Sequence, residues 1–192
     1  RFLLLAVVAS VAPGTVNAGL LRYDFSGIVS AGATVTHDDI AIGESWMARF
    51  VIDDAVVDSN ADPTAGAYLN SVLSATVTFS GGFTKDLNFD PIPAQFGVDV
   101  SDNQFGLFDG VGAYLADGDA LLSASVIESD DLTTLTSDAL PGTGVSFTCM
   151  ALPLSGFATG TFDFVDDNGQ SISLVSFSDG DISFAASVPE PG

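Results

Sequence analysis

From Leu73 to Ser80 the chain alternates strictly: Leu73, Ala75, Val77 and Phe79 are apolar, and Ser74, Thr76, Thr78 and Ser80 are polar. A period of two sends successive side chains to opposite faces of an extended segment, so this stretch reads as a strand buried on one side only. The pattern returns at Trp46, Ala48, Phe50 and Ile52; at Phe96, Val98 and Val100; at Ala120, Leu122, Ala124 and Val126; at Phe162 and Phe164; and at Ile182, Phe184 and Ala186. Turn chemistry separates the runs, at Ser80-Gly81-Gly82, Asp90-Pro91, Asp109-Gly110, Asp117-Gly118-Asp119, Pro141-Gly142, Asp167-Asn168-Gly169 and Asp179-Gly180-Asp181. Asp-Gly and Asn-Gly supply the positive φ that tight reversals need. Roughly eight to eleven short strands at this spacing predict an all-β fold, an antiparallel β-sandwich of jelly-roll type.

The end of the body reads as a meander. Gly160 to Val165 and Ser171 to Phe177 form a hairpin across Asp166-Asp167-Asn168-Gly169, and Ser178-Asp179-Gly180-Asp181 turns the chain into the last strand. Helical periodicity is absent, and only Asp130 to Ala139 leaves room for a short turn or helix. The longest polar loop runs from Asp53 to Thr64. With 192 residues, 47% of them hydrophobic, no internal repeat and no dividing linker, the chain is expected to build one core.

Charge narrows the partners. Against 25 acidic residues stand 4 basic ones and one histidine, a formal charge of −21. Nucleic acid is gripped by Lys and Arg that release its counterions, and a surface this acidic repels it, as it repels anionic membranes.

The first residues, Arg1-Phe2-Leu3-Leu4-Leu5-Ala6-Val7-Val8-Ala9, are a basic residue and an apolar run too short to span a bilayer, followed by Pro13-Gly14 and by Val16-Asn17-Ala18. This is the pattern of a secretory signal over residues 1–18, cut between Ala18 and Gly19, which leaves a domain over 19–187. At the other end, residues 188–192 read Val188-Pro189-Glu190-Pro191-Gly192. Two prolines around a glutamate make an extended segment without ladder donors, suited to a tether or a protease site.

A Val-Pro-Glu-Pro-Gly string after a signal-bearing domain resembles the PEP-CTERM proteins of Gram-negative bacteria, with Pro189, Glu190 and Pro191 matching the sorting motif. Tyr23-Asp24-Phe25-Ser26-Gly27, then Gly43-Glu44-Ser45-Trp46-Met47-Ala48-Arg49-Phe50 running to Asp53, and Gly66-Ala67-Tyr68 are similar to the opening pattern of many such proteins. The resemblance implies a membrane helix and an Arg-rich tail after Gly192, processing by exosortase, and only transient contact with the membrane through that helix. It further implies release to, or attachment at, the cell surface and the exopolysaccharide matrix of a biofilm, in a structural or adhesive role without catalysis.

Within the body, Asp58-x-Asn60-x-Asp62 places oxygen ligands at alternate positions, as at the start of an EF-hand loop, and marks a candidate Ca²⁺ site. Pro63 stands where that loop has its glycine and no Glu closes it, so a solvated acidic loop is the plainer alternative. Asp166, Asp167 and Asn168, and Asp117 with Asp119, are sufficiently explained as turns. Catalysis lacks parts: His37 is the only imidazole, no Gly-x-Ser-x-Gly occurs, one His and one Cys cannot hold zinc, and the glutamates are Glu44, Glu128 and Glu190 alone. Cys149, in an apolar run, is either buried as a small hydrophobe or cross-linked between molecules. Trp46, Tyr23, Tyr68 and Tyr114 offer rings for sugar stacking, although Trp46 falls on the apolar face. The alternative function is accordingly a carbohydrate-binding module with a structural Ca²⁺.

Overall fold

A computed structural model describes residues 19–29, 38–88, 96–104, 108–117, 120–128, 135–149, 156–165, 171–177 and 182–188. Residues 1–18, His37, Asp90-Pro91, Gly118-Asp119, residues 130–134, Asp166 to Gly169, residues 178–181 and Pro189-Glu190-Pro191 lie outside the described residues. Cys149 belongs to a strand, and its side chain lies outside the description.

The described residues form strands and connections without a helix. In chain order the strands are β1 (Leu20–Ile28), β2 (Ser45–Asp53), β3 (Ala65–Leu69), β4 (Val72–Phe79), β5 (Thr84–Asn88), β6 (Gly97–Gln104), β7 (Phe108–Asp117), β8 (Ala120–Glu128), β9 (Ser146–Cys149), β10 (Gly156–Val165), β11 (Ser171–Phe177) and β12 (Ile182–Ser187). They pair antiparallel throughout, in a sheet of order β5-β4-β2-β1-β12-β9 and a second of order β11-β10-β8-β7-β6-β3. The chain changes sheet at β2–β3, β3–β4, β5–β6, β8–β9, β9–β10 and β11–β12, which gives the sandwich its jelly-roll-like character.

Alternation builds the core. On β2 the set Trp46, Ala48, Phe50 and Ile52 is buried, and on β8 Leu122, Ala124 and Val126 face it from the other sheet as part of one apolar cluster. At the centre Phe184 packs on Tyr23 edge-on, with ring centroids 5.2 Å apart, and on Phe25 at 5.1 Å. Phe25 in turn meets Phe50 at 5.7 Å, so β12, β1 and β2 share an aromatic row.

Three features depart from the period-two reading. Leu73 is exposed and its neighbour Val72 is fully buried, because the β2–β4 register slips between Val51 and Ile52: Val51 pairs with Ser74, and Ile52 with Val72. The bulge inserts Leu73 as an extra residue and exchanges the faces beyond it. Asp109-Gly110 is no turn; it lies inside β7, with Asp109 wholly buried and accepting a hydrogen bond from Leu135 N–H at 2.9 Å. That tertiary donor replaces the solvation that an aspartate ordinarily finds in a surface turn.

The closing meander also stops one strand early. The β10–β11 hairpin forms, and β12 then crosses to the opposite sheet and pairs with β1 and β9. On the far side Phe184 reaches the Tyr23 and Phe25 rings.

Candidate functional site

The acidic loop between β2 and β3 is built on a repeated local device. Asp58 Oδ1 accepts from Asn60 N–H at 2.8 Å, Asn60 Oδ1 from Asp62 N–H at 3.1 Å, and Asp62 Oδ1 from Thr64 N–H at 3.0 Å and the Thr64 hydroxyl at 2.8 Å. Asp53 opens the series by accepting from Ala55 N–H at 3.0 Å. Each side chain caps the backbone two residues on, so the alternate spacing that reads as a ligand set is also the spacing of consecutive Asx turns. Asp58 additionally accepts from Ala67 N–H at 2.8 Å, tying the loop to β3. The Thr64 backbone N–H, then its hydroxyl, holds the Asp62 carboxyl below the usual aspartate range. Asp58, Asn60 and Asp62 therefore share one loop, with an oxygen of each committed to backbone. Among the described residues no group of three His, Cys, Asp or Glu side chains is placed to hold a metal ion.

A second construction closes the side of the sandwich near β3. Residues 135–141 run as a strap held by Asp109 at Leu135, by the Tyr68 hydroxyl donating to the Asp138 carbonyl at 2.9 Å, and by the Tyr23 hydroxyl donating to the Pro141 carbonyl at 3.0 Å. Gly66 makes this possible, since a Cβ there would overlap the Asp138 carbonyl oxygen and stand 2.7 Å from the Tyr68 ring. Burial, followed by the nearby Asp109 and Asp138, pushes the Asp102 carboxyl up. Asp109 is closed to any substrate by its burial. Glu44 is likewise occupied in structure, accepting from Ala41 N–H at 2.9 Å and from the Gly81 N–H of the β4–β5 turn.

The aromatic residues considered for sugar stacking sit mostly inside. Trp46, Tyr23 and Tyr68 are buried, the two tyrosine hydroxyls serving the strap, and Tyr114 is half-buried.

An open groove lies on the outer face of the first sheet. The groove, of about 530 Å³, runs over β1, β2 and β4, lined by Ser26, Ile28, Ser45, Met47, Arg49, Thr76 and Thr78 among others. Ser26 pairs with Met47 and Met47 with Thr78, so a methionine and hydroxyls form a cross-strand row. Arg49 stands at its side, its Nε donating to Asp24 Oδ1 at 3.0 Å, while Arg22 Nε lies 3.0 Å from Asp24 Oδ2. Two of the chain's 4 basic residues thus flank a single carboxylate on one face. The sequence signal for this face was the polar half of the alternation, which core-seeking reads past.

The chain matches no protein-family model, no curated protein and no solved structure.

Proposed function

We propose that this is a non-enzymatic exported β-sandwich protein of the cell surface or extracellular matrix of a Gram-negative bacterium, sorted by exosortase through Pro189-Glu190-Pro191. The observation that carries the reading is where β1 begins and β12 ends. β1 starts at Leu20, one residue after the expected cut at Ala18, and β12 ends at Ser187, just before the sorting motif. Arg22 and Ser187 are cross-strand partners, so both processed segments leave adjacent strands at the same end of the sheet. A signal peptidase and a sorting enzyme would then act beyond the start of β1 and the end of β12, and the acidic body would associate with exopolysaccharide through bridging cations.

The test is expression from the complete gene in an exosortase-bearing host, with the processed termini read by mass spectrometry. The expected product begins at Gly19 and has lost the segment after the motif, and substituting Pro189, Glu190 and Pro191 by Ala retains it at the membrane. A cytoplasmic product with its leader intact, or an unaltered destination for the triple variant, overturns the reading.

The outer-face groove favours a second reading, the carbohydrate-binding module. Hydroxyls beside an apolar strip and a guanidinium suit a sugar ring, whose edges are polar and whose faces carry C–H groups. Titration with neutral and uronate oligosaccharides, with Arg49→Gln as control, would support it by saturable binding that the variant weakens; no binding of either class excludes it. A structural Ca²⁺ at Asp58 to Asp62 belongs to this reading, and a thermal midpoint raised by CaCl₂ beyond a NaCl control of equal ionic strength would reveal it.

A further inference from the structure

Gly19 makes a contact whose chemistry changes if the chain is cut before it. Its backbone nitrogen donates to Asp54 Oδ1 at 2.7 Å, and Asp54 N–H returns a bond to the Gly19 carbonyl at 3.3 Å. The exchange sits one residue beyond the Leu20–Asp53 pair that ends the β1–β2 ladder. Space at this point is short: a Cβ on residue 19 would stand 2.8 Å from Asp54 Oδ2. Glycine lets the carboxylate lie directly against the main-chain nitrogen.

We propose that Asp54 is the docking site for the α-ammonium group that cleavage between Ala18 and Gly19 liberates, so that processing itself adds an ion pair fastening the start of β1 to the end of β2. The inference rests on the export reading above. In the cut, water adds across the peptide bond, Ala18 leaves with a carboxylate, and the Gly19 amine takes up a proton. An α-amine with an ordinary pKa of roughly 7.7–8.0 is mostly protonated at neutral pH. The uncut nitrogen brings one hydrogen and no charge to Asp54; the cut one brings three hydrogens and a full positive charge to the same oxygen, converting a neutral donor into a charge-assisted one.

The surroundings favour this pairing over its competitors. Arg22 and Arg49 are both engaged by Asp24. Among the described residues, the charged groups at this end of β1 and β2 are Arg22, Asp53 and Asp54, and Asp53 spends Oδ1 on Ala55 N–H. Tyr23 further along β1 lies close enough for Asp54 to act on its hydroxyl. Asp54 is exposed, so the pair is modest in strength and weakened by salt.

The experiment uses the protein exported and processed by a Gram-negative host, its N-terminus read by mass spectrometry. Selective transamination of the α-amine to a carbonyl removes the ammonium and leaves Lys85 untouched. It should lower the thermal midpoint by about 0.5–4 °C. In the Asp54→Asn protein the same treatment should lower the midpoint by clearly less, and in high salt the wild-type difference should shrink. As a second measurement, acylation of the Gly19 amine relative to Lys85 should be several-fold faster in Asp54→Asn. An N-terminus at Gly19 with equal midpoint shifts in both backgrounds and equal acylation rates overturns the docking and leaves export standing. An N-terminus elsewhere overturns the cleavage site and the docking together.

Discussion

Replacing Tyr23 by Phe removes one oxygen from the centre of the molecule and leaves the ring that packs on Phe184. That oxygen donates to the carbonyl of Pro141 at 3.0 Å, and both residues are buried, so no water replaces the lost donor. The net value of such a bond is about 0.5–1.5 kcal/mol, and an orphaned buried acceptor costs about 1–3 kcal/mol. Taken as one effect, the variant should lose about 1–3 kcal/mol. At roughly 2–4 °C per kcal/mol for a domain of this size, the midpoint should fall by about 2–12 °C. Urea unfolding should show the same loss as a lower midpoint at constant slope.

A pH signature accompanies the stability loss. Burial first, then Tyr68 and Asp54, pushes the Tyr23 hydroxyl above its ordinary value of 10.0. A native pKa above the unfolded one means that the unfolded chain releases the proton first. Stability from this group is therefore complete below about pH 10 and declines as pH rises beyond it. Tyr23→Phe should flatten the alkaline limb, leaving a residue from Tyr68 and Tyr114, whose hydroxyls burial also raises. A variant within about 0.5 kcal/mol of wild type, or one with an equally steep alkaline limb, would refute the strap argument.

Further tests address the other constructions. Val72→Ala should cost about 2 kcal/mol in urea unfolding and Leu73→Ala less than about 1 kcal/mol, the reverse of what unbroken alternation implies. Gly66→Ala should cost at least about 1–3 kcal/mol by forcing Asp138 away, with new proteolytic cleavage within residues 135–141 as the sign that the strap has lifted. The Asp62 carboxyl, held below its ordinary 3.8 by Thr64, stabilises the loop above that pH and loses the effect as pH falls through its native value; Asp62→Ala should abolish this part of the acid dependence, and an NMR titration should place the native midpoint below 3.8.

Much of the fold was legible because half-buried strands write their geometry as a period of two. Trp46 to Ile52, Phe96 to Val100 and Leu122 to Val126 lie with their apolar sets inward, as the alternation requires. Ser80-Gly81-Gly82 turns the chain between β4 and β5, with Gly82 at φ 103°. The strand count was read slightly low, at roughly eight to eleven against the twelve described, partly because β3 and β9 span 5 and 4 residues and show little periodicity of their own.

The candidate sites were less legible, because one spacing serves several chemistries. Asp58, Asn60 and Asp62 at alternate positions describe a ligand series and an Asx-turn series equally well, and only the partners of their oxygens distinguish the two. Asp109 beside Gly110 has the composition of a turn, yet a backbone N–H from Leu135, distant in sequence, makes a buried strand position acceptable.

By itself, then, the sequence determined the all-β class, the two-faced character of the strands and a formal charge of −21. These are properties of local pattern and of totals. Tertiary structure alone decided that Val72 rather than Leu73 enters the core, that β12 leaves its hairpin neighbours for β1, that Tyr23 and Tyr68 pin a strap, and that Gly19 lies against Asp54. Each of these depends on a partner far along the chain, and a bulge, a sheet crossing or a buried hydrogen bond is stable only when that partner is in place.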